Sequence, residues 1–342
     1  MTIEQIKDKL KSKEYDFLRT DKNLGNNIII LTLGGSHAYG TNNEGSDLDI
    51  RGCALNSKMQ ILTNENFEQF VNNETDTTIY AFNKLVALLS NTNPNTIEML
   101  GNKPEHYFYV SPIGQELIDN AHLFLSKRAC HSFGGYANQQ LYRLNQKAAH
   151  QMSQSELEKH ILKTLEFMQT DFTKKYTPYD DDSMKLYIDK AVQEGYDTEI
   201  FMDVNLHHYP LRDYCSMWNE LQNTVRQYGK IGKRNEKAIE HGKIAKHSMH
   251  LIRLYMMCLD ILEKERIITY RENEHDLLMD IRNGKYLDSN DQPIPEFFEM
   301  VNDYEKRLDY AKKNTSLPDN PNYKAINEFV ASVNERVVKG EI

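Results

Sequence analysis

The sequence predicts an α+β protein: a small N-terminal mixed-sheet domain over residues 1–110, then a larger helical domain over 111–342. Three observations predict it. A β-branched, apolar run from Ile28 to Leu33 breaks into Gly34-Gly35-Ser36, the pattern of a buried strand ending in a turn. Two further stretches, 47–55 and 73–80, alternate in the two-residue rhythm of strands. Beyond about residue 110 strand signals nearly vanish and 3.6-residue periodicity takes over.

Taken in order, residues 2–12 place Ile3, Ile6 and Leu10 on one helical face. Strand 27–33 follows, then the glycine turn, a short helix through Ala38-Tyr39 and a polar loop from Gly40 to Gly45. Strand 47–55 comes next, and stretch 58–72 pairs with the sheet or covers it. Strand 73–80 runs into helix 81–91, whose Phe82, Leu85, Val86 and Leu89 share a face. Asn93-Pro94-Asn95 stops that helix, and a second short one spans 95–100. Helical patterns then cover 112–121, 126–150, 154–171, 183–194, 212–228, 235–264, 274–282, 294–314 and 321–338. The acidic stretch YTPYDDD, 176–182, reads as a loop within an insertion, and the domain boundary is expected near 105–125.

A chain of 342 residues can bury two cores. With 41 Lys and Arg against 50 Asp and Glu, the net charge of −9 excludes a protein that coats nucleic acid by bulk attraction. Any such contact must be a local patch. Cys53, Cys130, Cys215 and Cys258 lie far apart, without zinc spacing. The charged start MTIEQIKDKLKSKEYD is no signal peptide, and no apolar run reaches membrane-spanning length. A cytoplasmic protein is expected.

The chemistry concentrates in residues 27–53. Asp47 and Asp49 fall on one face of their segment, with Leu48 and Ile50 on the other. Carboxylates so spaced can share divalent cations through hard oxygen ligands. Gly34, Gly35 and Ser36 free backbone N–H groups for phosphate, although Ser36 serves equally well as a plain N-cap. A two-metal arrangement needs a third acid. Asp76 is that choice and Glu74 the runner-up, both on stretch 73–80. Tyr39 and His37 sit where a base or ribose could stack, with core packing the plainer reading of Tyr39. Arg51, on the acidic face, could pair with the acids when metal is absent, or with a phosphate.

A second concentration is the basic run 226–253, with Arg226, Lys230, Lys233, Arg234, Lys237, Lys243, Lys246 and Arg253 against Glu236 and Glu240. Lys243, Lys246, His250 and Arg253 recur at three- and four-residue steps, forming a stripe on helix 235–264. The stripe reads as a solvated face or as a basic wall toward a triphosphate or RNA backbone. His247 and His250 could ligate a metal by spacing alone; packed histidines fit better, since no partner ligands accompany them. Gly284 is placed to end helix 274–282, and Arg282 is placed to reach the same cleft.

The pattern GGSHAYGTNNEGSDLDIRG resembles the signature of the DNA polymerase β-like nucleotidyltransferase superfamily. Within it, the segment is similar to the predicted nucleotidyltransferases called RNA-ligase-associated proteins. DTTIYAFNKLVALLSNTNPNTIEML is similar to that family's strand–helix segment at Asp76, Tyr80, Lys84 and Asn93-Pro94-Asn95. GKIAKHSMHLIRLYMMCLDILEKERI and LLMDIRNGKY are similar at Lys246, His247, His250, Arg253, Arg282, Asn283 and Gly284, and GYANQQLYRL is a weaker echo.

The resemblance implies a polymerase β-like catalytic domain that transfers a nucleotide from an NTP such as ATP, with Mg²⁺ or Mn²⁺, by in-line attack on the α-phosphate. Asp47, Asp49 and Asp76 would be catalytic and metal-binding. Gly34, Gly35, Ser36, Tyr39, Lys246, His250 and Arg253 would meet the nucleotide or acceptor. An RNA end, with tRNA among the candidates, is the expected acceptor. The rivals are a protein hydroxyl receiving AMP, a small-molecule acceptor and a non-catalytic nucleotide-binding protein. Segment 151–212 matches no part of the pattern, and acceptor specificity is expected there.

Overall fold

The structure, a computed structural model, describes residues 1–134, 137, 154–192, 198–227, 243–289 and 292–342. The chain groups into two compact units: Met1–Gln140, Ser248–Tyr286 and Ile294–Ile342 form one, Leu141–His247 and Leu287–Pro293 the other.

The first unit is built on five strands: β1 (Ile28–Leu33), β2 (Ile50–Ala54), β3 (Gln69–Asn72), β4 (Thr77–Ala81) and β5 (Tyr107–Val110). Their order is β3-β4-β2-β1-β5, with β2 and β4 parallel and the other neighbours antiparallel. The sheet is mixed. All six residues of β1 are buried, which is why IIILTL is apolar without alternation. Its one hydroxyl, on Thr32, donates to the His106 carbonyl and accepts from Asn102 Nδ2.

Two core clusters use the sheet. One joins Leu31, Leu33, Ile50 and Ile79 to the N-terminal Ile6, Leu10, Tyr15 and Leu18. The other joins Ile29, Ile30 and Cys53 to Phe82 and Leu89, to Leu254, Met257 and Ile261, and to Ile326 and Val333 near the C-terminus. The strands therefore share a core with helices Phe82–Ser90, Lys243–Lys264 and Tyr323–Lys339. Position 110, the expected end of the first domain, is the last residue of β5 and lies inside the first unit. Cys130 and Cys258, which the sequence separates widely, meet in this core.

The second unit holds helices Gln154–Lys175 and Leu211–Gln227 and a hairpin of β6 (Met184–Lys190) and β7 (Thr198–Val204). Within the helix expected over 183–194, Met184–Lys190 is instead a strand, and residues 193–194 lie outside the described residues. Met184, Leu186 and Ile188 alternate with Lys185, Tyr187 and Asp189 at period two, and pairing with β7 decides in favour of the strand. The YTPYDDD stretch is tied down at its start. Tyr176 donates to Glu220, and Asp213 accepts from both the backbone and the hydroxyl of Thr177.

Three local expectations are corrected. Strand 47–55 is shorter, because β1 ends at Leu33 opposite Ile50 and leaves Asp47 and Asp49 no partner strand. Stretch 73–80 is not one strand: residues 73–76 turn between β3 and β4. The Asn72 side chain sets that turn by accepting from the N–H groups of Glu74 and Thr75. Ser36 is not an N-cap, since Gly34 caps helix Gly35–Tyr39.

Candidate active site

The carboxylates and the glycine turn meet where β1 and β2 begin to diverge. Gly34 N–H donates to the Asp49 carbonyl at 2.9 Å, which extends the β1–β2 ladder by one rung. Gly35 follows with φ +56°, and a Cβ there would collide with the Asp49 carboxylate. A Cβ at Gly34 would lie 2.7 Å from Arg51 Cγ. Both glycines are needed because the backbone lies directly on these two side chains. The turn opens helix Gly35–Tyr39, whose first N–H groups have no partner within the helix.

Asp47 is exposed, Leu48 buried and Asp49 half-buried, so the two acids face away from the core as their spacing suggests. Asp76 ends the β3–β4 turn in the left-handed region, φ 44°, and its carbonyl accepts from Ile50 N–H. Arg51 joins the acids. Its Nη2 lies 3.0 Å from Asp49 Oδ1 and 3.4 Å from Asp76 Oδ1, and its Nη1 donates to the Asp76 carbonyl at 2.7 Å. Burial, chiefly, and the Asp76 carboxylate within hydrogen-bonding reach push the Asp49 carboxyl up to about 7, against the pull of Arg51. Glu74, the runner-up, is exposed in the turn.

Carboxylate oxygens suit Mg²⁺ or Mn²⁺, so the donor chemistry fits the cation that the motif implies. Among the described residues, however, no three His, Cys, Asp or Glu side chains converge as a metal-binding group. The Arg51 guanidinium contacts both Asp49 and Asp76.

Behind Asp49 lies a buried cluster, in which Tyr39 takes the core-packed alternative and Arg253 fits neither reading of the basic stripe. Tyr39 is packed away from solvent and donates to Glu98 Oε2 at 2.6 Å. Arg253 is only 4% exposed, with its guanidinium 3.7 Å from the Tyr39 ring centre and 3.4 Å from Glu98 Oε2. Neither is an open contact for base or triphosphate. Burial pushes the Glu98 carboxyl up, while Arg253 and the Tyr39 hydroxyl hold it down. Sequence reasoning missed Glu98. Its one signal is a carboxylate set inside an apolar run, between Ile97 and Met99.

The rest of the stripe is uneven. Lys246, in the second unit, is exposed; His250, in the first, is half-buried. Lys230, Lys233, Arg234, Lys237 and His241 lie outside the described residues, as does most of GYANQQLYRL. Arg282 does reach the site's loop, donating to the Thr41 carbonyl at 2.6 Å and to Ser46 Oγ at 3.0 Å. Asn283 caps that helix, and Gly284 takes the left-handed conformation after it, φ 85°. His37 is buried, which lowers its pKa.

A family model described as the RNA repair pathway DNA polymerase beta family matches residues 5–177, just over half of the chain. The chain belongs to this family. It is a polymerase β-like nucleotidyltransferase family, and the five-stranded mixed sheet followed by helices agrees with it. The match includes Gly34, Gly35, Asp47, Asp49, Asp76 and Glu98, and ends before Arg253 and Arg282. No curated protein and no solved structure matches the chain. Among the described residues, no helix is long and apolar enough to cross a membrane.

Proposed function

We propose that this protein transfers a nucleoside monophosphate from an NTP to a hydroxyl at an RNA end. The observation that carries the reading is the glycine turn lying on Asp49, whose carboxylate shares Arg51 with Asp76. A phosphate cradle and an acidic cluster in direct contact are what nucleotidyl transfer requires. The family's connection with RNA repair supports RNA as the acceptor.

In this reading Asp47, Asp49 and Asp76 would hold Mg²⁺ or Mn²⁺. A bound cation would offset the phosphate charge and acidify the attacking hydroxyl. The backbone at Gly35 and Ser36 would hold the terminal phosphates, with His250 a further candidate for the triphosphate. The acceptor oxygen forms a bond to the α-phosphorus as the bond to the β-phosphate oxygen breaks, and pyrophosphate leaves. Asp76, with its side chain 53% exposed against 18% for Asp49, is the acceptor we assign to the hydroxyl proton. Tyr39, Glu98 and Arg253 would act from behind, holding helix Gly35–Tyr39 in place.

Label transfer tests the reading. The protein is incubated with each α-labelled NTP, Mg²⁺ and cellular RNA and protein, with Asp47→Ala and Asp49→Ala as controls. Nuclease-sensitive label that falls at least about a hundredfold in both variants is the expected result. Label that resists nuclease but yields to protease would replace RNA with a protein acceptor. No acid-dependent label in either pool would overturn the proposal.

A further inference from the structure

We propose that Arg51 is a resident counter-cation of the acidic cluster, so that a divalent metal enters only as the guanidinium leaves Asp49 and Asp76. The inference rests on the reading of Asp47, Asp49 and Asp76 as cation ligands. It also accounts for the lack of a ready-made three-acid group among the described residues.

The guanidinium is held on several sides. Nη1 donates to the carbonyls of Ile50 and Asp76, and Nη2 reaches both Asp49 Oδ1 and Asp76 Oδ1. Arg51 thus contributes one positive charge to two of the carboxylates that the proposed function would give to a divalent ion. A metal added beside it would face a like charge at close range, whereas a metal replacing it gains both acids. Metal loading and Arg51 release are then a single exchange.

The local architecture accommodates such an exchange. Arg51 is the second residue of β2, paired with Thr32 on β1 and Thr78 on β4, so its backbone is fixed in the ladder and an exchange would fall to its long side chain alone. The missing side chain at Gly34 leaves the stem room to lie beside the turn. A guanidinium released there is next to the proposed phosphate cradle and can offer a two-pronged donor to a phosphate. Arg51 would serve first as a place-holder and then as a positioning residue for the nucleotide.

The test is direct Mn²⁺ binding to the full-length protein, read by loss of the free-ion paramagnetic resonance signal. Arg51→Gln should bind Mn²⁺ about tenfold more tightly than the wild type, and Arg51→Lys, which keeps the charge but loses the fork, by less. Unchanged or weaker binding by a folded Arg51→Gln would overturn the inference. If Asp49→Ala binds Mn²⁺ as the wild type does, the cation site itself fails, and the proposed function with it. Dependence on Asp49 without dependence on Arg51 would remove this inference alone. Should Arg51→Gln not fold, the wild type still decides. The Arg51 Nη–H resonances, assigned by their absence from Arg51→Lys, should lose their protection from solvent exchange on Mg²⁺ saturation. Resonances indifferent to Mg²⁺ would refute the exchange.

Discussion

Glu98 and Arg253 form an ion pair in which both side chains are at least nine-tenths buried, with Tyr39 sharing the carboxylate and stacking on the guanidinium. Removing one member of such a pair strands the other charge in a low-dielectric interior. Arg253→Ala is therefore expected to cost about 3–5 kcal/mol in urea unfolding. The double variant Arg253→Ala/Glu98→Gln should recover part of that loss, since it leaves no unpaired charge. Gly35 makes a different prediction. A methyl group at φ +56° adds about 1–2 kcal/mol of backbone strain and also drives into Asp49. Gly35→Ala should lower label transfer at least about a hundredfold while the melting temperature falls by only a few degrees. Kinetics compared with a thermal melt on the same preparation separates the two effects. What made Gly35 and Asp49 legible in the sequence was a rigid spacing between a strand end and an acid pair. Arg253 was misread because a stripe of basic residues gives their angular position but not what is packed against each one.

At the level of elements, periodicity located most of the longer helices among the described residues, and the departures have local causes. Asn72 organises residues 73–76 into a turn through its side chain, an interaction that alternation does not register. That turn brings Asp76 to Asp49 from a separate hairpin, so two of the three acids meet through the β2–β4 pairing rather than along one strand. The β6–β7 hairpin was hidden for another reason. Its strands each carry charged residues on the exposed face, and such seven-residue segments satisfy a helical template almost as well as an extended one until a partner is known. Asp47 and Asp49 precede β2, where the ladder with β1 ends after one last rung from Gly34 to the Asp49 carbonyl.

For the whole molecule, the core does not follow chain order. Ile326 and Val333, near the C-terminus, belong to the same cluster as Ile29 and Ile30 of β1. A fragment of residues 1–110 would leave that apolar surface in water and is expected to lack the cooperative urea transition expected of the full chain. A fragment ending at residue 320 removes helix Tyr323–Lys339 and should unfold at lower urea than the full chain. Truncations followed by circular dichroism would check both. A cooperative, stable 1–110 fragment would show that the strands and their first helices suffice.

The bond from Arg282 to the Thr41 carbonyl spans 241 positions of sequence and has a consequence for biosynthesis. Arg282 is synthesised about 170 residues after β5, which takes roughly ten to thirty-five seconds at ordinary elongation rates. Throughout that interval the nascent chain carries its acids on a loop with no strap and its strands with one surface uncovered. The strap arrives only with Arg282, so a chain terminated before it would carry the acidic loop without the bond that holds it in shape.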